Sequence, residues 1–125
     1  TQPGQVGHGR VIIGIGIDVC PVERFARAAE RQRLLDRLFT AAEQDTSMNR
    51  MAGRFAAKEA LAKALGAPEG LGWHDVEVRK TPQGKPYFAY TASVAERIAS
   101  LGIGTVHLSI THDAGIAAAV VVCEA

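Results

Sequence analysis

The segment Val11–Val19 alternates between two faces, as a β-strand does. Every odd-numbered position in it is Val or Ile. The opposite face carries Ile12 and then Gly14, Gly16 and Asp18. Because glycine weakens the interior of a strand, two glycines on one face indicate that another backbone or a ligand approaches closely there. The segment therefore predicts a strand whose glycine face ends in a carboxylate.

A helical pattern follows this strand, which Pro21 is expected to end, and runs from about residue 22 to residue 38. Arginines and leucines share one side of the helix, whereas Phe25 and Ala29 point elsewhere. One straight amphipathic helix does not fit both halves of this pattern. We therefore expect a break or bend near residues 31–33.

The strongest helical segment runs from about Ser47 to Leu65 and is followed by a glycine and a proline, which are stop signals. Just before it, Thr40 and Glu43 form a T-x-x-E capping-box pattern for a short turn or helix. On a helical wheel of the long segment, Glu59 falls in the middle of an apolar stripe, with Lys63 one turn later. The stripe consists of Met48, Met51, Ala52, Phe55 and Ala62.

The rest of the chain predicts mainly strands, joined by turn-rich segments and one further helix. Ser93 and Glu96 are expected to cap that helix, and the last strand is apolar enough to be buried on both faces. The whole pattern predicts the α+β class, with about five strands in an antiparallel or mixed sheet packed against the long central helix. These later elements are predicted at Val76–Lys80, Pro86–Tyr90, Ser93–Leu101, Thr105–Thr111 and Ile116–Cys123.

Length and composition favour a single domain at residues 11–125, preceded at residues 1–10 by a flexible tail or a cloning remnant. The formal net charge is only +1, which argues against a nucleic-acid partner. No apolar run is long enough to span a bilayer, and no signal peptide is recognisable. Cys20 and Cys123 form no CxxC pattern, so we expect reduced, buried thiols in a cytoplasmic protein.

The combination of Asp18 with Glu59 is the most informative chemical pattern in the sequence. If the central helix packs on the glycine face, the two carboxylates converge and repel each other unless a cation lies between them. Mg²⁺ suits this place, because it prefers oxygen ligands and usually takes one or two protein carboxylates, with waters and substrate phosphates as its other ligands. Lys63, Arg54 and Lys58 would then face the phosphate oxygens.

Two simpler interpretations of the same helix remain open from the residues alone. Lys63 can supply the cation that a buried Glu59 needs, which would make the two a structural ion pair. Arg54 and Lys58 can equally belong to an ordinary solvated face. Neither interpretation requires a ligand.

Four sequence blocks at these positions resemble the 4′-phosphopantetheinyl transferases, and in particular their short, holo-acyl-carrier-protein-synthase type. The likeness runs from about Val11 to Glu124, in the family's order and approximate spacing. The blocks are GIGIDVCPVERF (14–25), RFAAKEALAKALG (54–66), GKPY (84–87) and HLSITHD (107–113).

The resemblance implies transfer of 4′-phosphopantetheine from coenzyme A to a serine of an apo acyl carrier protein, with release of adenosine 3′,5′-bisphosphate. Asp18 and Glu59 match the family's Mg²⁺ ligands, and Lys63 matches the catalytic lysine that contacts the phosphates. Glu59, directly or through a water, is a candidate base for the serine, and Asp18 or solvent remain alternatives. Members of the short type are homotrimers, with each site built between two subunits.

The resemblance also implies contacts to both substrates. Arg24 matches a helix arginine that meets the acidic carrier protein, and Arg27 and Arg31 are expected to extend that patch. The segment 44–50 matches the family poorly, so it receives no binding role. The implied coenzyme A contacts are Arg54, Lys63, Gly84, Lys85, Pro86 and His112.

Two other functions compete with this one. A non-catalytic domain of the same fold could bind coenzyme A or a nucleotide, although a pure binder has no need of the Asp18–Glu59 pair. A purely structural trimer with an ion-paired core would bind no ligand at all. A dependence of coenzyme A binding on Mg²⁺ separates the last of these from the others.

Overall fold

The computed structural model describes residues 11–44 and 47–125, and the predicted tail at residues 1–10 lies outside the described residues. Strands and helices alternate irregularly along this part of the chain, and the α+β class is confirmed. In order, the elements are β1 (Ile12–Pro21), α1 (Val22–Ala28), α2 (Gln32–Leu38), a 3₁₀ turn (Ala41–Glu43), α3 (Met48–Ala64), a 3₁₀ turn (Trp73–Asp75), β2 (Val76–Lys80), β3 (Pro86–Tyr90), α4 (Ala92–Ser100), β4 (Thr105–Asp113) and β5 (Ile116–Glu124).

The strands form two antiparallel sheets. β1, β5 and β4 lie side by side in that order, so β1 and β4 are the two edges of a three-stranded sheet, and β2 pairs with β3 in a separate hairpin. Only Ala114 and Gly115 separate β4 from β5, and both have positive φ, as a two-residue hairpin turn requires. The last two strands are therefore held in a fixed register, which places Asp18 of β1 in one row with Ala119 and Ile110.

The glycine face of β1 lies directly against α3. A Cβ at Gly14 would overlap the carbonyl oxygen of Ala64, and one at Gly16 would overlap the carbonyl oxygen of Ala60. Both obstacles are helix backbone, which cannot move aside as a flexible side chain can. The two glycines therefore allow a closer approach between strand and helix than any larger residue would permit.

The expected break in the first helical region is confirmed. α1 ends at Ala28 and α2 begins at Gln32, so the break starts two residues earlier than the pattern suggested. The capping box is also present, since the backbone N–H of Thr40 donates to Oε1 of Glu43 at 2.9 Å.

Two details of the sequence prediction are wrong. β5 is buried on one face only, because α3 covers the face of Ala117 and Val121 whereas Val120 stays 37% exposed. Ser93 does not cap α4, whose N-cap is Thr91. The hydroxyl of Ser93 instead donates to the carboxylate of Asp75.

The face of the three-stranded sheet that points away from α3 is not covered by other described parts of the chain. Ile15 and Ile17 are 60% and 62% exposed, and Val19 is 55% exposed. Across the rows toward β4 this face becomes polar, since Ser109 lies in the row of Ile17 and Val120. We call the β1 and β5 part of it the isoleucine face. A contiguous apolar strip of this kind marks an interaction surface.

Both cysteines, Cys20 and Cys123, are free and buried, as expected. Among the described residues, no helix combines the length and the hydrophobicity that crossing a bilayer requires.

Candidate active site

Asp18 and Glu59 border the same cavity, of about 450 Å³. Asp18 is placed by the glycine face of β1, and Glu59 by the helix that packs on that face. The pKa of Glu59 is raised, first because burial disfavours its charged form and second because the carboxylate of Asp18 is near. The convergence expected from the sequence is therefore present, and we call this space the acidic cavity.

Lys63 binds Asp18. Its ammonium group donates to Oδ1 of Asp18 at 3.1 Å and to the carbonyl oxygen of Ile17 at 3.0 Å. Its charge also opposes the rise in the pKa of Glu59, but only as the smallest of the three influences. The simple Glu59–Lys63 ion pair considered from the sequence is thus not the arrangement found, and one ammonium group faces two carboxylates.

The donor set of the acidic cavity fits Mg²⁺. Two carboxylates lie together, and the described residues hold no cluster of three or more His, Cys, Asp or Glu side chains that would suit a fully protein-ligated ion. A site with only two protein carboxylates leaves most of an octahedron to waters and phosphate oxygens, which is the usual arrangement for Mg²⁺. Asp18 and Glu59 are the residues that would hold it.

The walls of the acidic cavity contain residues that the sequence did not single out. Arg37 joins Arg24 at its border, and Trp73 forms part of its apolar wall with Phe55. The rings of Phe55 and Trp73 are stacked, with centroids 6.0 Å apart. The sequence holds no short-range signal for either role, because Arg37 and Trp73 reach this cavity through the tertiary fold.

Of the three arginines expected to meet a carrier protein, Arg24 is the one that borders the acidic cavity. Arg27, one turn later on α1, forms an exposed ion pair with Glu23 at 2.9 Å. Arg31 lies at the N-cap of α2 and borders a groove with Arg37. Arg37 borders both this groove and the acidic cavity, so the groove at Arg31 adjoins that cavity, whereas Arg27 lines neither.

A second cavity, of about 520 Å³, gathers most of the residues expected to bind coenzyme A. Gly84, which has a φ of +89°, borders it together with Pro86. Lys85 lies between these two but is not part of the lining, and its backbone N–H donates to Oγ1 of Thr81. We call this space the basic cavity, because its charged lining is mainly cationic. Its basic residues are Arg50, Arg54, Arg79, Lys80 and His112.

His112 lies at the end of β4, and its Nε2–H donates a hydrogen bond to the carbonyl oxygen of Asn49 at 2.8 Å. Its ring also fills the space beside Gly53, where a Cβ would come within 2.9 Å of Nε2. Arg79 and Lys80 were missed by the sequence reasoning. Their position directly before the turn at Thr81 is the signal that could have identified them.

Lys58 does not belong to a solvated face, and it does not face a phosphate site. Its side chain is 1% exposed and forms an ion pair with the buried Glu43 at 2.6 Å. The carbonyl oxygens of Leu38 and Trp73 accept its other two N–H groups, each at 2.9 Å. All three donors of the ammonium group are thereby used within the protein.

The two cavities share no lining residue and lie toward opposite edges of the three-stranded sheet. Asp18 is on the β1 edge, whereas Ile110 and His112 are on the β4 edge. Adjacent strands are about 4.8 Å apart, so the two edges are separated by roughly 10 Å of sheet. α3 crosses between them, with Gly53 near β4 and Ala60 near β1.

The chain is similar to members of one protein family. The family model of the 4′-phosphopantetheinyl transferase superfamily matches residues 14–120. A holo-[acyl-carrier-protein] synthase of Salinispora arenicola is 51% identical over 121 residues, which cover 91% of this chain and 99% of that protein. One of Streptomyces coelicolor is 52% identical over 120 residues, with 90% and 98% covered.

Solved structures agree with this grouping. The crystal structure of the Helicobacter pylori holo-[acyl-carrier-protein] synthase in complex with coenzyme A superimposes with a TM-score of 0.78 at 33% identity. The superposition covers 87% of this chain and 98% of the Helicobacter chain.

Proposed function

Because the chain belongs to the 4′-phosphopantetheinyl transferase superfamily, we propose that it transfers 4′-phosphopantetheine from coenzyme A to a serine of an apo acyl carrier protein. The reaction depends on Mg²⁺ and releases adenosine 3′,5′-bisphosphate. The observation that carries the proposal is the convergence of Asp18 and Glu59 in one cavity beside Lys63. Relatives with the same reaction in their names cover nearly the whole chain.

The chemistry replaces a phosphoanhydride bond of coenzyme A by a phosphoester bond to the carrier serine. The serine oxygen forms a bond to the phosphorus that carries pantetheine, and the bond from that phosphorus to the bridging oxygen of the pyrophosphate breaks. The serine proton passes to a base, for which Glu59, directly or through a water, is the candidate because its carboxylate borders the acidic cavity. The bridging oxygen leaves with adenosine 3′,5′-bisphosphate.

Mg²⁺ held by Asp18 and Glu59 would neutralise charge on the pyrophosphate and orient it for in-line attack. Lys63 lies beside Asp18 with half of its side chain exposed, so it can move its ammonium group onto the phosphate that leaves. Arg54, Gly84, Lys85, Pro86 and His112 remain the candidates for holding the nucleotide end of coenzyme A.

The complete site is proposed to form between two subunits of a homotrimer. Residues for the metal and residues for the nucleotide lie on opposite edges of the sheet, so one subunit's β1 edge needs another subunit's β4 edge. A contact between two different edges is head-to-tail, and such contacts form a ring when the rotation that relates the subunits closes, as it does in a trimer. The isoleucine face would be covered in that ring, which accounts for its exposure in a single chain.

The direct test is incubation with coenzyme A, Mg²⁺ and an apo acyl carrier protein, followed by mass spectrometry of the carrier. We expect the mass of one phosphopantetheine group to be added to the carrier, and chelation of Mg²⁺ to prevent it. Coenzyme A binding without any mass change, for every acyl or peptidyl carrier tried, would instead support the non-catalytic binding domain.

Arg24→Ala should raise the KM for the carrier about tenfold and leave the affinity for coenzyme A nearly unchanged. The reason is that Arg24 lies at the mouth of the acidic cavity, where an acidic partner would arrive, and away from the basic cavity. Steady-state kinetics at two salt concentrations measure this, because the attraction between exposed charges is screened.

Arg97→Gln is the matched control for this variant. It removes the same charge from α4, where Arg97 donates to the carbonyl oxygen of Leu65 and borders neither cavity. The carrier KM of the control should stay at the wild-type value. An equal loss of coenzyme A affinity in Arg24→Ala would show that Arg24 does not act on the carrier.

A further inference from the structure

Glu43 and Lys58 form an ion pair that is almost completely shielded from solvent. The side chains of Lys58 and Glu43 are 1% and 0% exposed. Burial lowers the pKa of Lys58, and the hydrogen bond from Lys58 to Glu43 is the largest influence that opposes this. Replacing a buried ion pair by apolar residues of similar volume is often neutral or stabilising. A contribution to stability therefore does not explain why this ion pair is present.

The remaining bonds of Lys58 go to the wall of the acidic cavity. It donates to the carbonyl oxygens of Leu38 and Trp73, and both of these residues line that cavity. Trp73 also borders a smaller apolar cavity of about 200 Å³, which shares Glu59 with the acidic cavity. Lys58 thus fixes the backbone of Trp73, a residue that borders both the acidic cavity and the smaller apolar cavity.

The bonds of Glu43 reach the other cavity. Its Oε2 accepts the backbone N–H of Val78 at 2.7 Å, and its Oε1 accepts that of Thr40. Val78 lines the basic cavity, as does Ala42, the residue before Glu43. One buried ion pair is therefore bonded to wall segments of both cavities.

We propose that Lys58, paired with Glu43, is a positioning residue for the transfer reaction. It fixes Trp73 and Leu38 so that the wall of the acidic cavity holds the reacting groups against Asp18 and Glu59. This inference rests on the proposed function for its kinetic consequence only. The position of Trp73 itself can be measured without any reaction.

The test uses the double variant Glu43→Gln with Lys58→Met, which removes both charges and keeps the side-chain volumes similar. Trp73 is the single tryptophan of the chain, so acrylamide quenching of tryptophan fluorescence reports on this wall alone. We expect a larger quenching constant than in the wild type. We also expect kcat per folded molecule to fall by about 10- to 100-fold, the cost of a small displacement of reacting groups, with the carrier KM unchanged.

Ile98→Val is the matched control. Ile98 is buried on α4 and lines neither the acidic nor the basic cavity, so this variant should lower the thermal midpoint and change neither quenching nor kcat. The inference is overturned if the double variant keeps the wild-type quenching constant, or if it keeps the wild-type kcat. Failure of the proposed function appears differently, as absence of transfer by the wild type.

A second variant covers the case in which the double variant does not fold. Trp73→Ala leaves the backbone carbonyl and the ion pair in place and removes only the ring. We expect the same fall in kcat, with an unchanged carrier KM. A wild-type kcat in Trp73→Ala would overturn the role assigned to the wall that Lys58 holds.

Discussion

Asp18→Ala is expected to lower the rate of phosphopantetheine transfer by about 10³-fold while the protein stays folded. The loss follows because this variant removes one of the two carboxylates that would hold Mg²⁺ against the pyrophosphate, and loss of a single well-placed electrostatic group costs a factor of this size. The rate is measured from the mass of the carrier, and folding from far-UV circular dichroism and a thermal melt.

The fold should tolerate this change, because Asp18 and Glu59 repel each other in the absence of a cation. Removing Asp18 gives up its ion pair with the half-exposed Lys63, which contributes little to stability. Asp18→Asn is the isosteric control, and it should lose nearly as much activity, since an amide carries no negative charge. A wild-type rate in Asp18→Asn would contradict the metal assignment.

Mixing Asp18→Ala with a variant of the basic cavity tests whether each site is shared between two subunits. His112→Ala damages the basic cavity, and Asp18→Ala damages the acidic cavity. If each site joins the two cavities of different subunits, trimers reassembled from an equal mixture contain intact sites. Their activity should reach about a quarter of the wild type. Each site needs an intact Asp18 from one subunit and an intact His112 from its neighbour, and each of these is present in half of the cases. Activity no greater than that of the separate variants would mean that each chain builds its own site.

Gly16→Val should destabilise the protein by more than about 3 kcal/mol, enough to leave much of it unfolded. A side chain at this position would overlap the carbonyl oxygen of Ala60 and lie 2.8 Å from the amide nitrogen of Ala64. Both atoms belong to the backbone of α3, so the helix as a whole would have to move away from β1. Urea denaturation followed by circular dichroism measures the loss.

Ile15→Val on the same strand is the control for this variant. It points to the opposite face and leaves the contact with α3 untouched, so we expect a loss of no more than about 1.5 kcal/mol even if this face is buried between subunits. A urea midpoint for Gly16→Val equal to that of the wild type would show that the close contact between β1 and α3 is not required. It would also remove the reason why Asp18 and Glu59 converge.

The local elements and the central contact could be predicted from the sequence because each had a short-range signal. Two glycines on one strand face indicated the close approach of α3. The predicted apolar stripe around Glu59 is not the side of α3 that meets the sheet, because Gly53, Ala60 and Ala64 make those contacts. The capping box at Thr40 and the break after α1 likewise follow from residues within one or two turns of each other. Such signals depend only on the periods of helix and strand.

The parts that could not be predicted depend on residues far apart in the sequence. Lys58 looked like a surface residue because its partner Glu43 is 15 positions away, and nothing in the helical pattern shows that Leu38 and Trp73 present carbonyl oxygens to it. The exposed side of β5 was missed for a related reason. A continuous apolar run has the same sequence pattern whether its second face is buried by the same chain or is left exposed for another subunit.

The isoleucine face has a consequence for how the protein responds to dilution. If its burial requires neighbouring subunits, dissociation and unfolding become linked equilibria, and the free energy of unfolding of one chain has no fixed value apart from its concentration. The midpoint of thermal unfolding would then rise as the protein is concentrated. A cell making few copies of the chain would hold a less heat-resistant enzyme than one making many.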